Sequence, residues 1–331
     1  MSESPEKSRG LLAPALIGLL LCAGVAVVWS PWKGRGDAGP SLRKELADLG
    51  TIDPRLVIAS ESARLPTGLA KVSALAVGPS DRLYVAGDQS LAILESDGRP
   101  VARHPLGAPA TAAAVDPDGA VYLALRDHIE VLDGEGKKKA SWDPPDPSAW
   151  ITSIALSAEA LYAADFGRRI VLRYDRSGKL LARIGVKDPE KSGTGFLIPS
   201  PYFDVAVDPS GALWVADTAR HRLENFRADG SLSSSWGSES ARIEGFSGCC
   251  NPSHFAIRRD GSFVTAEKGL VRIKIHGPGG NLLGVVAGPK DFPEGIVGLD
   301  VAVDSKGRIL VLDPSTSTVR VYVETAARPR D

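Results

Sequence analysis

The sequence predicts an all-β, six-bladed β-propeller closed by an N-terminal strand and preceded by one transmembrane helix. Three observations point there. A single strand phrase recurs six times between residues 52 and 324. Turn formers are dense, with Gly 35 and Pro 24 among 331 residues. A separate block at residues 11 to 29 is uncharged and mostly apolar. With 43% hydrophobic residues there is ample material for a core, so general disorder is excluded. Lys+Arg 39 against Asp+Glu 40 excludes a general nucleic-acid binder, which needs a basic face for phosphates. Three cysteines exclude both a disulfide-stapled mini-domain and a four-cysteine zinc module.

Residues 1 to 10 form a short head expected in the cytoplasm. Residues 11 to 29, LLAPALIGLLLCAGVAVVW, are long enough to cross a bilayer as a helix. Lys7 and Arg9 before the block are diluted by Glu3 and Glu6, and Lys33 and Arg35 follow it, so orientation rests mainly on the short head, which favours the N-terminus inside. A cleaved signal peptide competes, but Gly24-Val25-Ala26 is a poor small-residue cleavage site. A lipoprotein signal using Cys22 is disfavoured by the bulky Leu21 before it. An uncleaved single-pass anchor with the propeller outside the cytoplasm is therefore expected. Residues 30 to 51, rich in Gly, Pro and charge, read as a linker.

From residue 52 the repeat takes over. Each unit has a short apolar strand, a polar turn, and a second strand that ends at an acidic residue. The second strands begin at Leu83, Val121, Leu161, Leu213, Phe263 and Ile309, at separations of 38, 40, 52, 50 and 46 residues. Asp118-Gly119, Ser210-Gly211, Asp260-Gly261 and Lys306-Gly307 supply the turns between first and second strands. A third strand follows, then a further Gly turn and a fourth strand. The sixth unit has only three strands of its own, which would leave a raw sheet edge. Arg55 to Ser60, a strand-like segment without a unit, is expected to close it. The propeller then spans 52 to 324, with a tail at 325 to 331.

The phrase from Val207 to Arg222, VDPSGALWVADTARHR, resembles the NHL repeat, and the resemblance extends from about residue 52 to 324. Gly248-Cys249-Cys250-Asn251-Pro252, followed by Thr265-Ala266-Glu267-Lys268-Gly269, is similar to a membrane-anchored bacterial NHL-type group with no known activity. The resemblance implies a six-bladed propeller and names no reaction.

In such a fold the loops between second and third strands share a rim with the inter-blade loops. Long insertions at Asp188 to Tyr202, Ser238 to Pro252 and Pro289 to Val297 therefore crowd one rim over the third to sixth blades. The acids ending the second strands, Asp88, Asp127, Asp165, Asp217, Glu267 and Asp313, should reach the same rim. Such a ring invites a Ca²⁺ site, although one acid per repeat is more simply a turn cap. Arg168, Arg169, Arg220, His221, Arg222 and Lys268 interleave with them, giving a rim of mixed sign suited to an anionic or zwitterionic ligand.

Cys249 and Cys250 offer two soft donors for Zn or Cu, and His254 four residues on completes a partial set. Oxidised, the pair would instead make a strained, reducible turn. His104 and His276 are expected on outer strands at the surface. The candidate ligand-binding residues are Asn251, His254, Glu267, Lys268, Asp217, His221, Arg222 and Arg168, and the candidate metal ligands are Cys249, Cys250 and His254. No nucleophile elbow, H-E-x-x-H or phosphate loop is present. Among six-bladed relatives, calcium lactonases need an Asn- and Glu-rich channel, and zinc amidating lyases need several channel histidines; this chain matches neither set. The sequence thus favours a tethered module binding a protein or small ligand on the long-loop rim. A metal-dependent hydrolase or lyase using the channel, with Zn, Cu or Ca, is the alternative.

Overall fold

The structure is a computed structural model that describes residues 49–190 and 194–325. The propeller lies within the unit Glu45–Asp331. The expected head, the anchor at 11 to 29, most of the linker and all but the first residue of the tail lie outside the described residues. Among the described residues no helix is long and apolar enough to cross a membrane.

Among the described residues twenty-four strands, numbered β1 to β24 in chain order, form six four-stranded antiparallel sheets. Five blades run consecutively: residues 74–105 (β2 to β5), 112–142 (β6 to β9), 151–184 (β10 to β13), 205–236 (β14 to β17) and 254–287 (β18 to β21). The innermost strands of these blades are β2 (Ala74–Val77), β6 (Ala112–Val115), β10 (Ile151–Leu156), β14 (Val205–Val207) and β18 (His254–Ile257). The sixth blade has the order β1-β24-β23-β22, with β1 (Ala59–Pro66), β22 (Asp300–Val303), β23 (Ile309–Asp313) and β24 (Thr318–Glu324). Thus the last three strands are completed by the first, which removes the exposed edge.

The closing segment differs from the one expected. It is Ala59–Pro66, paired from Ala59↔Glu324 to Pro66↔Thr318, so it starts later than expected and shares only Ala59 and Ser60 with Arg55 to Ser60. Pro54–Leu56 instead form a 3₁₀ turn whose N-cap, Asp53, accepts the Arg55 amide at 2.9 Å. Proline is at home in such a first turn, where its missing N–H goes unneeded. Ile58 then bonds to the Val285 carbonyl of the fifth blade at 3.0 Å. The apolar run Leu56-Val57-Ile58 therefore bridges two blades, while the true closing strand is largely exposed and shows little apolar patterning. Arg320 on β24 locks the closure. Its guanidinium, 4% exposed, pairs with Glu61 on β1 at 2.5 Å, donates to the Asp291 carbonyl at 2.7 Å and lies over Phe292.

Burial is organised between blades. The second strands are buried throughout, and each sheet face packs its apolar residues against the next blade. One cluster joins the first and second blades through Tyr84, Leu91, Leu123 and Leu132. Another joins the fifth and sixth through Ile273, Ile275, Val301 and Val311. The interface between the fourth and fifth is smaller and more aromatic, with Trp214 and Trp236 packing edge to face on Phe263 at 4.8 and 5.0 Å. Fully burying a side chain such as Phe263 is worth about 2 to 3 kcal/mol, so repetition around the ring accounts for a large share of stability.

Hydroxyl clasps tie the inner strands in sequence. Ser73 donates to the Ala110 carbonyl, Thr111 to Ile151 and Thr152 to Phe203, at 2.6 to 2.7 Å, each reaching the following blade. From the fourth blade to the fifth, and from the sixth to the first, carboxylates perform the same task, and these carboxylates define the site.

Candidate functional site

Register fixes which residues of the inner strands form one layer. Ala74, Ala112, Ser153, His254 and Asp300 pair with Ala86, Ala124, Ala164, Ala266 and Leu312. Asp204 holds the same place in the fourth blade, where its carbonyl accepts the Ala216 amide at 2.9 Å. The layer is therefore alanine in two blades and Ser, Asp, His and Asp in the next four. Its polar side lies on the blades whose connecting loops are longest.

His254 is the centre of that side. Its Nδ1 lies 3.8 Å from Asp204 Oδ2 and 3.8 Å from Asp300 Oδ1. Both carboxylates are held by backbone amides. Asp204 accepts from Val205 at 3.0 Å and from Phe255, in the next blade, at 2.7 Å. Asp300 accepts from Val301 and, across the closure, from Leu75, both at 2.8 Å. These bonds fix the oxygens without neutralising them. Burial raises the Asp204 carboxyl above the ordinary carboxylate range, and the facing His254 and the hydrogen bonds oppose it. Burial also pushes the Asp300 carboxyl up to about 6, with the Asp204 charge adding to the shift and His254 opposing it. A carboxyl titrating near neutrality beside an imidazole can accept or give a proton under mild conditions. Both side chains keep some access, His254 at 18% and Asp300 at 19% exposure.

The rim above continues the site. Tyr202, at the end of the insertion between the third and fourth blades, stands edge to face on His254 with ring centroids 6.1 Å apart. Lys268 Nζ sits 5.1 Å from the Tyr202 ring. Cys250 lies beside Tyr202 and Lys268, and its thiol is raised chiefly by burial, against the neighbouring Ser200 hydroxyl and Lys268 charge. Asn251 fixes this corner: its side chain accepts the Lys268 amide at 2.9 Å and donates to the Lys268 carbonyl at 3.0 Å. The structure thus gathers Asn251, His254, Lys268 and Cys250 of the expected patch.

Other expected site residues are engaged elsewhere. Asp217 is fully buried; it accepts the Leu197 amide at 3.2 Å and pairs with Arg220. His221, buried with a left-handed φ of 56°, donates Nε2–H to the Gly248 carbonyl and so holds the cysteine loop from behind. Arg222 pairs with Glu224 at 2.8 Å, and Arg168 pairs with Asp146. The second-strand acids staple inter-blade loops to their blades: Asp88 accepts from Ala70 and Lys71, Asp165 from Trp150, and Glu267 from Ser247. These bonds confirm that both kinds of loop share one rim. Among the described residues no three His, Cys, Asp or Glu side chains converge as metal ligands, so Cys249, Cys250 and His254 do not form one cluster.

Glu267 points away from the channel mouth into the blade. Its carboxylate, fully enclosed, binds Arg272 at 2.6 Å and Lys274 at 2.9 Å. Arg272, Lys274 and His276 alternate along β20 (Arg272–His276) and so share one face. The insertion 238 to 247 folds over that face. Arg272 donates to the Ala241 and Arg242 carbonyls, Lys274 donates to Ile243 and Gly245, and Phe246 covers the Lys274 ammonium at 4.6 Å. This covering corrects the expectation of a surface His276. The ring is fully buried 4.9 Å from Trp236, and burial with the Lys274 and Arg272 charges pushes its pKa down to about 3. Burial likewise pulls Lys274 down to about 8, against the pull of Glu267.

No protein-family model matches the chain, and a search of the curated proteins also finds no match. The NHL resemblance therefore rests on the repeat phrases alone. Solved structures do match in fold. A streptogramin B lyase is 14% identical with a TM-score of 0.55, over 77% of this chain and 80% of that one. A catalytically inactive histidine-to-alanine variant of Staphylococcus aureus virginiamycin B lyase with quinupristin is 14% identical with a TM-score of 0.54, over 79% and 83%. A Bacteroides thetaiotaomicron protein of unknown function is 16% identical with a TM-score of 0.58, over 80% and 72%. At these identities the likeness shows the six-bladed propeller fold.

Proposed function

We propose that the chain is a membrane-tethered, extracytoplasmic β-propeller that binds a small zwitterionic ligand at the mouth of its channel. The carrying observation is the placement of His254 between Asp204 and Asp300, with Tyr202 and Lys268 rising from it toward the rim. The buried carboxylates suit a cationic amino group, and Lys268 suits a carboxylate. Lys268 Nζ and the His254 ring are at most about 11 Å apart, the span of about three extended residues. A di- or tripeptide with free termini has the right charges at the right separation. Tethering rests on the apolar block at 11 to 29 and the short charged head before it. The test is calorimetric titration of the purified chain with a set of di- and tripeptides, repeated with His254→Ala and Lys268→Met. Weakening of binding by at least about tenfold in both variants supports the reading. Binding indifferent to both overturns it.

A hydrolase or lyase using the same channel is the second reading, favoured by the Asp300 carboxyl titrating near 6 beside an imidazole. The lyases among the solved neighbours lend it a fold precedent. Chromatography of each bound peptide after incubation separates the two readings: an intact ligand means binding, and products that vanish with Asp300→Asn mean catalysis. Elemental analysis before and after chelation decides whether Zn, Cu or Ca takes part.

A further inference from the structure

We propose that Cys249 and Cys250 form a reversible thiol–disulfide exchange site, closing into a vicinal disulfide when a low-molecular-weight disulfide of the glutathione class accepts their electrons. The proposal is independent of the ligand reading above. Both thiols are free, and their sulfurs stand 3.4 Å apart. Closing the bond to about 2.05 Å needs side-chain rotation and modest backbone give.

The backbone around the pair is held on both sides. Gly248 takes a left-handed φ of 73°, which favours glycine, and its carbonyl is fixed by His221. Asn251 donates its amide to the Thr218 carbonyl at 3.2 Å and clasps the Lys268 backbone with its side chain. Two thiols on an anchored loop meet at high effective concentration, so ring closure competes well with attack by an external thiol. Adjacent residues nevertheless lie only about 3.8 Å apart at Cα, below the usual disulfide range of roughly 4.4 to 6.8 Å. The resulting eight-membered ring is strained and readily reduced, which suits exchange better than permanent stapling.

Access assigns the order of events. Cys249 is exposed and Cys250 is buried. The Cys249 thiolate attacks one sulfur of the disulfide RSSR, forming a mixed disulfide and expelling RS⁻. Cys250, its proton released to solvent, then attacks the Cys249 sulfur and expels the second RS⁻. Two electrons pass from the pair to RSSR, and the products are the vicinal disulfide and, after protonation, two RSH.

The test uses the full chain carrying Cys22→Ser, so that the pair supplies every thiol. The protein is equilibrated across ratios of reduced to oxidised glutathione, alkylated, and weighed intact. The expected result is conversion from two labels to none with little singly labelled species, and recovery of both labels with dithiothreitol. Cys250→Ser should stop as a single glutathione adduct, and Cys249→Ser should react at least about tenfold more slowly because its remaining thiol is buried. Retention of two labels throughout, or a stable glutathione adduct on the paired chain, would overturn the proposal. Should Cys250→Ser fail to fold, the paired chain decides alone.

Discussion

His254 Nδ1 stands 3.8 Å from Asp300 Oδ1, where the innermost strands of the fifth and sixth blades lie side by side at the channel. Asp300 also takes the Leu75 amide of the first blade, so one carboxylate contributes to ring closure and faces the site. Its burial and its chemistry are therefore linked.

That linkage predicts a pH effect on stability. An unfolded Asp titrates near 3.9, while Asp300 in the fold titrates at about 6. Between those values the folded state holds more protons than the unfolded state, so stability falls as pH rises through the window. Asp300→Asn removes this group's share, so the change in stability from pH 4 to pH 6 becomes more positive than in the parent by up to about 3 kcal/mol. Urea unfolding at several pH values measures it, and an unchanged slope contradicts the assignment.

Glu267 faces two buried cations, so removing it differs sharply from removing one of them. Glu267→Gln leaves Arg272 and Lys274 uncompensated and should cost about 3 to 5 kcal/mol. Lys274→Met leaves a neutral Glu267–Arg272 pair and should cost distinctly less, despite the lost bonds to the Ile243 and Gly245 carbonyls. Equal losses in chemical unfolding would contradict this charge account.

Closure by β1 is testable by truncation. A chain beginning at Leu49 keeps the closing strand and should unfold cooperatively. One beginning at Thr67 lacks it, exposes the β24 edge and strips Arg320 of its Glu61 partner. Each lost ladder bond is worth about 0.5 to 1.5 kcal/mol, so a loss of several kcal/mol or aggregation is expected.

The proposed topology rests on the apolar segment at 11 to 29. Reporters fused after Asp331 should be active only outside the cytoplasm; a fusion active only inside contradicts the placement.

Much of the fold was legible because each blade repeats one phrase, and the six second strands stand where the phrase puts them. The closing strand was misplaced because an outer strand needs little apolar patterning, whereas the apolar Leu56-Val57-Ile58 looked more strand-like. His276 was misjudged because nothing local to β20 shows that a loop some thirty residues earlier covers its polar face. The two channel carboxylates were missed although a signal exists. Asp204-Val205-Ala206-Val207, His254-Phe255-Ala256-Ile257 and Asp300-Val301-Ala302-Val303 are one phrase in one register. Aligning the innermost strands by that phrase places both acids level with His254.

A ligand seated between the channel carboxylates and Lys268 would perturb His254 and Lys268 together. The most direct measurement is a side-chain NMR titration with the di- and tripeptide set, following the His254 ring and the Lys268 ammonium together. Both signals are expected to move along one binding curve, and Asp300→Asn to weaken that curve at least about tenfold. Shifts confined to the groove of about 320 Å³ on the opposite rim, lined by Trp214, Arg259 and Pro278, would contradict it.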